Sequence, residues 1–158
     1  MPGRSRELDE TDHALLALLQ RDASMTLFDL GHQVGLSTSA VQRRISRFQQ
    51  AGLIERQVAV LSATAFPDIV LALVMVTLER ESAERHATLQ GQLSASPAVQ
   101  QCYDLAGEYD YAVLLAARGM NELREIVEDL FMDAPGLKRF DTFPVYRVVK
   151  AGLEIPTE

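Results

Sequence analysis

The chain has 158 residues, of which 47% are hydrophobic and 23% charged, and its 22 Asp+Glu against 15 Lys+Arg give a net charge of −7. This is enough apolar material for one ordinary domain or two small ones, and it argues against disorder over most of the length. The acidic balance excludes a general coat of nucleic-acid contacts but leaves room for a local basic surface.

A single cysteine, Cys102, leaves no internal disulfide and fits a reducing compartment. The opening "MPGRSRELDE" lacks the apolar stretch of a secretory signal. The longest apolar run, Ile69 to Val76, falls far short of the roughly 20 residues that span a bilayer. A cytoplasmic protein with no membrane contact is expected. Residues 1–64 hold seven Lys+Arg and seven Asp+Glu, whereas residues 65–158 hold eight and fifteen. The acidic surplus therefore lies wholly in the second half, as in a chain of two domains with different partners.

The first half reads as three short helices. Asp9 is placed to cap the first, with Asp12 completing a weak capping box and Leu15, Leu16 and Leu19 on one face. "DASM" (Asp22 to Met25) interrupts the pattern. Thr26, with Asp29 three residues on, opens a second helix carrying Leu27, Leu30 and Val34, and Gly35 is placed to stop it. Ser37 opens a third, with Val41, Ile45 and Phe48 on its apolar face and Gly52 at its end. Two helices with only "GLS" between them form an αα corner.

Opposite the apolar face of the third helix stand Ser39, Gln42, Arg43, Ser46, Arg47 and Gln50, and no acid occurs between Ser37 and Ala51. A helix lying in the major groove needs such a face. Arginine pairs with guanine edges or phosphate, glutamine reads adenine, serine contacts bases or backbone, and a carboxylate would be repelled. The plainer alternative is a solvated amphipathic helix on a small bundle. Arg44 lies about 60° from the centre of the apolar face by the 3.6-residue repeat, so it is expected to pair with an acid of the first helix. The candidate DNA-contacting residues are Ser37, Ser39, Gln42, Arg43, Ser46 and Arg47, with Ser39, Gln42 and Arg43 at base edges and Arg47 at phosphate.

The expected organisation is a DNA-binding domain over 1–53, an extended linker strand over 54–66, a second domain over 67–150 and a tail over 151–158. The second domain reads as βαββαβ: a strand from Ile69 to Leu78, a helix from Glu81 to Ser96 and a strand from Val99 to Leu105. The turn "AGEYD" follows, then a strand from Tyr111 to Ala117, a helix from Asn121 to Met132 and a strand from Lys138 to Val149. Pro144 places that last strand at a sheet edge, since proline cannot donate to a central ladder. The fold class is α+β, with a split-βαβ, ferredoxin-like second domain. Its first strand is apolar on both faces, with Ile69, Leu71, Leu73 and Met75 on one and Val70, Ala72, Val74 and Val76 on the other. One face covers the helices. The other needs a cover, either a second copy of the chain or a folded-over segment of it.

The turn "AGEYDYAV" (Ala106 to Val113) carries the chemistry of this half. Exposed N–H groups at a turn glycine, Gly107, suit a carboxylate. Asp110 suits an ammonium group, and Thr142 offers a hydroxyl. An ordinary β-turn is the alternative.

Four segments, "LDETDHALLALLQ", "LSTSAVQRRISRFQQAGLI", "PAVQQCYDLAGEYDYAVLL" and "DTFPVYRVVK", together resemble the leucine-responsive/asparagine-synthesis regulators, the Lrp/AsnC or feast/famine transcription factors, from about residue 8 to 150. The resemblance implies an N-terminal winged helix-turn-helix and a C-terminal ferredoxin-like regulatory domain. It implies double-stranded DNA as a partner, a homodimer joined through the regulatory sheets and often an octamer, and a small effector, usually an amino acid, bound between regulatory domains. Where the family often carries two threonines spaced by one residue, this chain has Phe140 and Thr142, and the phenyl would favour an apolar amino acid. The candidate effector residues are Gly107, Glu108, Tyr109, Asp110, Phe140 and Thr142.

An enzyme is not expected. The chain has no Gly-rich phosphate loop and no Cys or His at metal-ligand spacing, and no cofactor is implied. The alternative is a haem-pathway decarboxylase built from the same two modules, which would need histidines and arginines lining the regulatory cleft. His13, His32 and His86 are scattered instead.

Overall fold

The computed structural model describes residues 8–62, 65–79 and 83–157. They form two compact units: the chain up to Val60 together with the chain from Lys150 onward, and Leu61–Val149.

The first unit contains α1 (Glu10–Arg21), α2 (Leu27–Val34) and α3 (Thr38–Gln50). Each begins at the cap the sequence marks. Asp9 and Asp12 form a reciprocal capping box, with the Asp12 N–H donating to Asp9 Oδ1 at 2.8 Å and the Asp9 N–H donating to Asp12 Oδ2 at 3.2 Å. Thr26 accepts from the Asp29 N–H at 3.1 Å, and Ser37 from the Ala40 N–H at 3.3 Å. Gly35, in the left-handed region at φ 69°, ends α2. Leu15, Leu16, Leu30, Val41, Ile45 and Phe48 form the core.

Residues 55–62, where a wing would lie, have no strand partner among the described residues. The C-terminal segment, read from the sequence as a tail, returns to α1. The Ile155 N–H donates to Gln20 Oε1 at 2.8 Å, Gln20 Nε2 donates to the Ile155 carbonyl at 3.1 Å, and Arg21 pairs with Glu154 at 3.2 Å.

The second unit contains β1 (Ile69–Leu78), α4 (Ala83–Ala95), β2 (Val99–Asp104), β3 (Tyr111–Arg118), α5 (Gly119–Val127, running into a π turn over Glu128–Met132) and β4 (Leu137–Pro144). The expected start of α4 at Glu81 lies outside the described residues. The strands form one antiparallel sheet in the order β2-β3-β1-β4, the ferredoxin-like arrangement. β4 is an edge strand, as Pro144 requires, but it ends there rather than at Val149. Val145 makes one further bond, to the Leu71 carbonyl at 2.8 Å.

Ala72, Val74, Val76 and Leu78 of β1 are buried with Tyr111, Val113 and Leu115 of β3, Leu89 and Leu93 of α4, and Leu123 and Phe131. On the other face Ile69 and Leu73 are exposed, with Phe143 from β4 and Tyr103 from β2. The two-faced reading of β1 therefore holds residue by residue.

Candidate functional site

The αα corner depends on Gly31. A Cβ there would stand 2.5 Å from the Leu36 carbonyl oxygen, and the Leu36 N–H donates to the Gly31 carbonyl at 2.9 Å. Only a residue without a side chain lets the turn into α3 close this tightly. α3 then buries Val41 and Phe48 completely and Ile45 nearly so. Its far side presents Ser39, Gln42 and Arg43, all exposed, and Ser46, which is half-buried. Ser37 caps the helix while its hydroxyl lies 3.2 Å from that of Ser39, and Gln42 Nε2 lies 3.4 Å from Ser46 Oγ.

The three arginines of α3 have different fates. Arg44 turns back to α1, as expected. Its Nη1 donates to both carboxylate oxygens of Asp9, at 2.9 and 2.8 Å, and to Asp12 Oδ1. Arg47 also turns to α1, its Nη2 donating to Asp12 Oδ2, with its guanidinium carbon 5.4 Å from the centre of the Phe48 ring. The structure thus places Arg47 in an ion pair rather than free at the rim. Arg43 has no ion pair or hydrogen bond among the described residues.

Asp12 is 1% exposed. Burial pushes its carboxyl up, but the bonds from Arg44, the Asp9 N–H and Arg47 outweigh this and hold it below the ordinary 3.8. The Arg44 guanidinium holds Asp9 low as well. Sequence reading took Asp12 for a cap only. The expectation that Arg44 pairs with an acid of the first helix holds, but that Asp12 is such an acid and also binds Arg47 comes from the packing.

In the second unit, the β2–β3 turn is anchored by Asp110. The Asp110 carboxylate accepts from the Leu78 N–H at 2.7 Å, and its backbone N–H donates to the Val76 carbonyl at 2.8 Å. Gly107 does not use the left-handed region, and the space beside its Cα is open. Glu108 is exposed and Tyr109 half-buried. Phe140 pairs with Val76 across β1 and faces the helices, its ring centred 5.5 Å from that of Phe131. Its phenyl therefore serves the core. Thr142 lies on the same side, opposite Val74, and its Oγ1 is buried without a hydrogen-bond partner among the described residues. The turn and these two β4 residues flank β1 from opposite edges. Sequence reading missed Arg139, which pairs with Asp141 at 2.8 Å. Asp141 first, with Tyr109 and Glu108 nearby, favours the charged form of Arg139.

The description "AsnC-type helix-turn-helix domain" matches residues 8–49, and "Lrp/AsnC ligand binding domain" matches residues 71–155. An HTH-type transcriptional regulator of Sinorhizobium fredii is 34% identical over 152 residues, 96% of this chain and 90% of that protein. The transcriptional regulator AzlB of Bacillus subtilis is 31% identical over 96% of both chains. Among solved structures, a transcriptional regulator of Neisseria meningitidis in complex with L-Met superposes with a TM-score of 0.85 at 26% identity, over 95% of this chain and 97% of that one. The chain therefore belongs to the Lrp/AsnC family: it is a transcriptional regulator, not a decarboxylase or other enzyme, and joins a DNA-binding helix-turn-helix to a ligand-binding domain.

Proposed function

We propose that the protein regulates transcription by reading DNA sequence through α3 and responds to an amino acid with an apolar side chain. The observation that carries the first half is the acid-free outer face of α3, where Arg43 has no partner among the described residues while Arg44 and Arg47 are drawn to Asp12. Ser39, Gln42 and Arg43 meet base edges, and Ser37 and Ser46 flank them toward the backbone. The reading supposes a homodimer, further assembled into an octamer, that presents two such helices to a near-palindromic site. The exposed apolar face of the sheet, with Ile69, Leu73, Tyr103 and Phe143, is the surface a second copy would cover.

For the effector, the turn from Gly107 to Asp110 is the receiving element. Its open ground beside Gly107 admits a ligand, whereas the Asp110 carboxylate is occupied by the Leu78 N–H and serves to fix the turn. Thr142, across β1 from the turn, adds a buried hydroxyl that has no hydrogen-bond partner among the described residues. Because Phe140 packs on Phe131, the preference for an apolar side chain rests on the Neisseria relative, which was solved with L-Met. An effector acts by favouring one arrangement of the assembly over another. Isothermal titration of the intact protein with each of the common amino acids tests this. Heat of binding from Met, Leu or a similar apolar amino acid is expected, and no heat from any of them at millimolar concentration contradicts it.

A further inference from the structure

We propose that Asp12 is a positioning residue that sets the strength and salt dependence of DNA binding through Arg47: its buried carboxylate competes with DNA phosphate for that guanidinium and holds it off the backbone. The inference rests on α3 lying in the groove, as proposed above. Arg43 and Arg47 are four residues apart and so project from neighbouring points of one helix face. Arg43 has no partner among the described residues, whereas Arg47 is held by Asp12. The Arg47 side chain is 36% exposed, so it lies at the rim within reach of an outside anion.

Asp12 meets it from the inside. One oxygen of Asp12 takes Arg44, and the other takes Arg47 and the Asp9 N–H. A phosphate that captured Arg47 would strip one cation from a carboxylate that is 1% exposed. Leaving a buried charge short of partners is costly, whereas a phosphate on the DNA surface keeps its counterions and water. The internal carboxylate therefore wins, and α3 offers the backbone fewer charges than its sequence suggests.

The consequence is uniform across sequences. Phosphate contacts carry no sequence information and supply most of the nonspecific affinity. Withholding one of them lowers binding to every duplex by about the same factor, flattens the salt dependence and leaves the base-reading side chains untouched.

The test uses the full-length protein and a short duplex of random sequence, with affinity measured from about 50 to 200 mM salt. Asp12→Asn keeps an oxygen for Arg44 but loses the charge that holds Arg47. It should bind random DNA about eightfold more tightly per helix-turn-helix near 0.1 M salt and steepen the salt slope by about 0.9 for each released arginine. Adding Arg47→Gln should return the slope to that of the parent. Glu10→Gln removes one negative charge from the same helix and controls for net charge. Weaker binding by Asp12→Asn with an unchanged slope would overturn the proposal and leave the ion pair with a structural role only. So would a gain no larger than that of Glu10→Gln.

Should Asp12→Asn fail to fold, Arg47→Gln in the otherwise unaltered chain decides. The slope stays at the parent value if Asp12 withholds Arg47, and it drops by about 0.9 per helix-turn-helix if Arg47 already touches phosphate. Arg43→Gln separates the two readings. If it leaves binding to every duplex unchanged, α3 is not the contacting helix, and the proposed function fails independently of Asp12.

Discussion

Gly31 is buried inside α2, and a methyl group at that point would stand 2.5 Å from the Leu36 carbonyl oxygen. The clash is with backbone rather than with the end of a flexible side chain, and the Val41 side chain beyond it is fully buried. Gly31→Ala is expected to lower the stability of the DNA-binding unit by about 1–3 kcal/mol, the usual cost of forcing a group into a closed contact. Helix propensity alone would have alanine stabilise by roughly 1 kcal/mol, so the sign of the change is diagnostic. Thermal melts of the two proteins decide it, and an alanine variant as stable as its parent contradicts the close approach. Nothing in the sequence marked this glycine, because periodicity identifies faces and not distances between backbones. Asp12 was hidden for a similar reason. As the third residue of a capping box it had a sufficient explanation, and only the packing of α1 on α3 reveals the two arginines on its carboxylate.

At the level of elements, the clamp between α1 and α3 makes the first unit sensitive to acid. The Asp9 and Asp12 carboxyls both lie below the ordinary 3.8 in the folded chain. A depressed carboxylate contributes stability that is complete above the unfolded value and is lost as the pH falls through the folded one. The melting temperature of the helix-turn-helix should therefore hold down to about pH 5 and fall steeply below about pH 4, with a shallower fall in Asp12→Asn. An acid limb identical in both proteins contradicts this assignment.

The elements themselves were largely legible. All three N-caps in the first unit stand where Asp9, Thr26 and Ser37 place them, because capping is a local interaction. Alternation along β1 sorted its two faces correctly because side chains alternate strictly along a strand. The ends that failed are those set by distant contacts. β4 stops at Pro144 because the pairing with β1 runs out there, and the apolar Val145, Val148 and Val149 suggested a longer strand. Phe140 was read as facing a ligand, yet which side of β4 meets the helices depends on its register with Val76.

For the whole molecule, two units of different charge and fold divide the work of a regulator, one for DNA and one for the signal. That division was visible in the acidic surplus of the second half and in the change from helical to strand periodicity near Ile69. The return of the C-terminal segment to α1 through Gln20 and Ile155 was not, since a short polar tail has no period to read.

The measurement that tests the account most directly is selection of bound duplexes from a random pool by the intact protein, followed by the same selection with Arg43→Ala. The account predicts an enriched, two-fold related pair of half-sites about one DNA turn (roughly 34 Å) apart. It also predicts that Arg43→Ala loses preference at one position of each half-site, at a cost of about 1–3 kcal/mol. A pool that emerges without an enriched sequence, or a motif that Arg43→Ala leaves intact, would contradict the claim that α3 reads DNA.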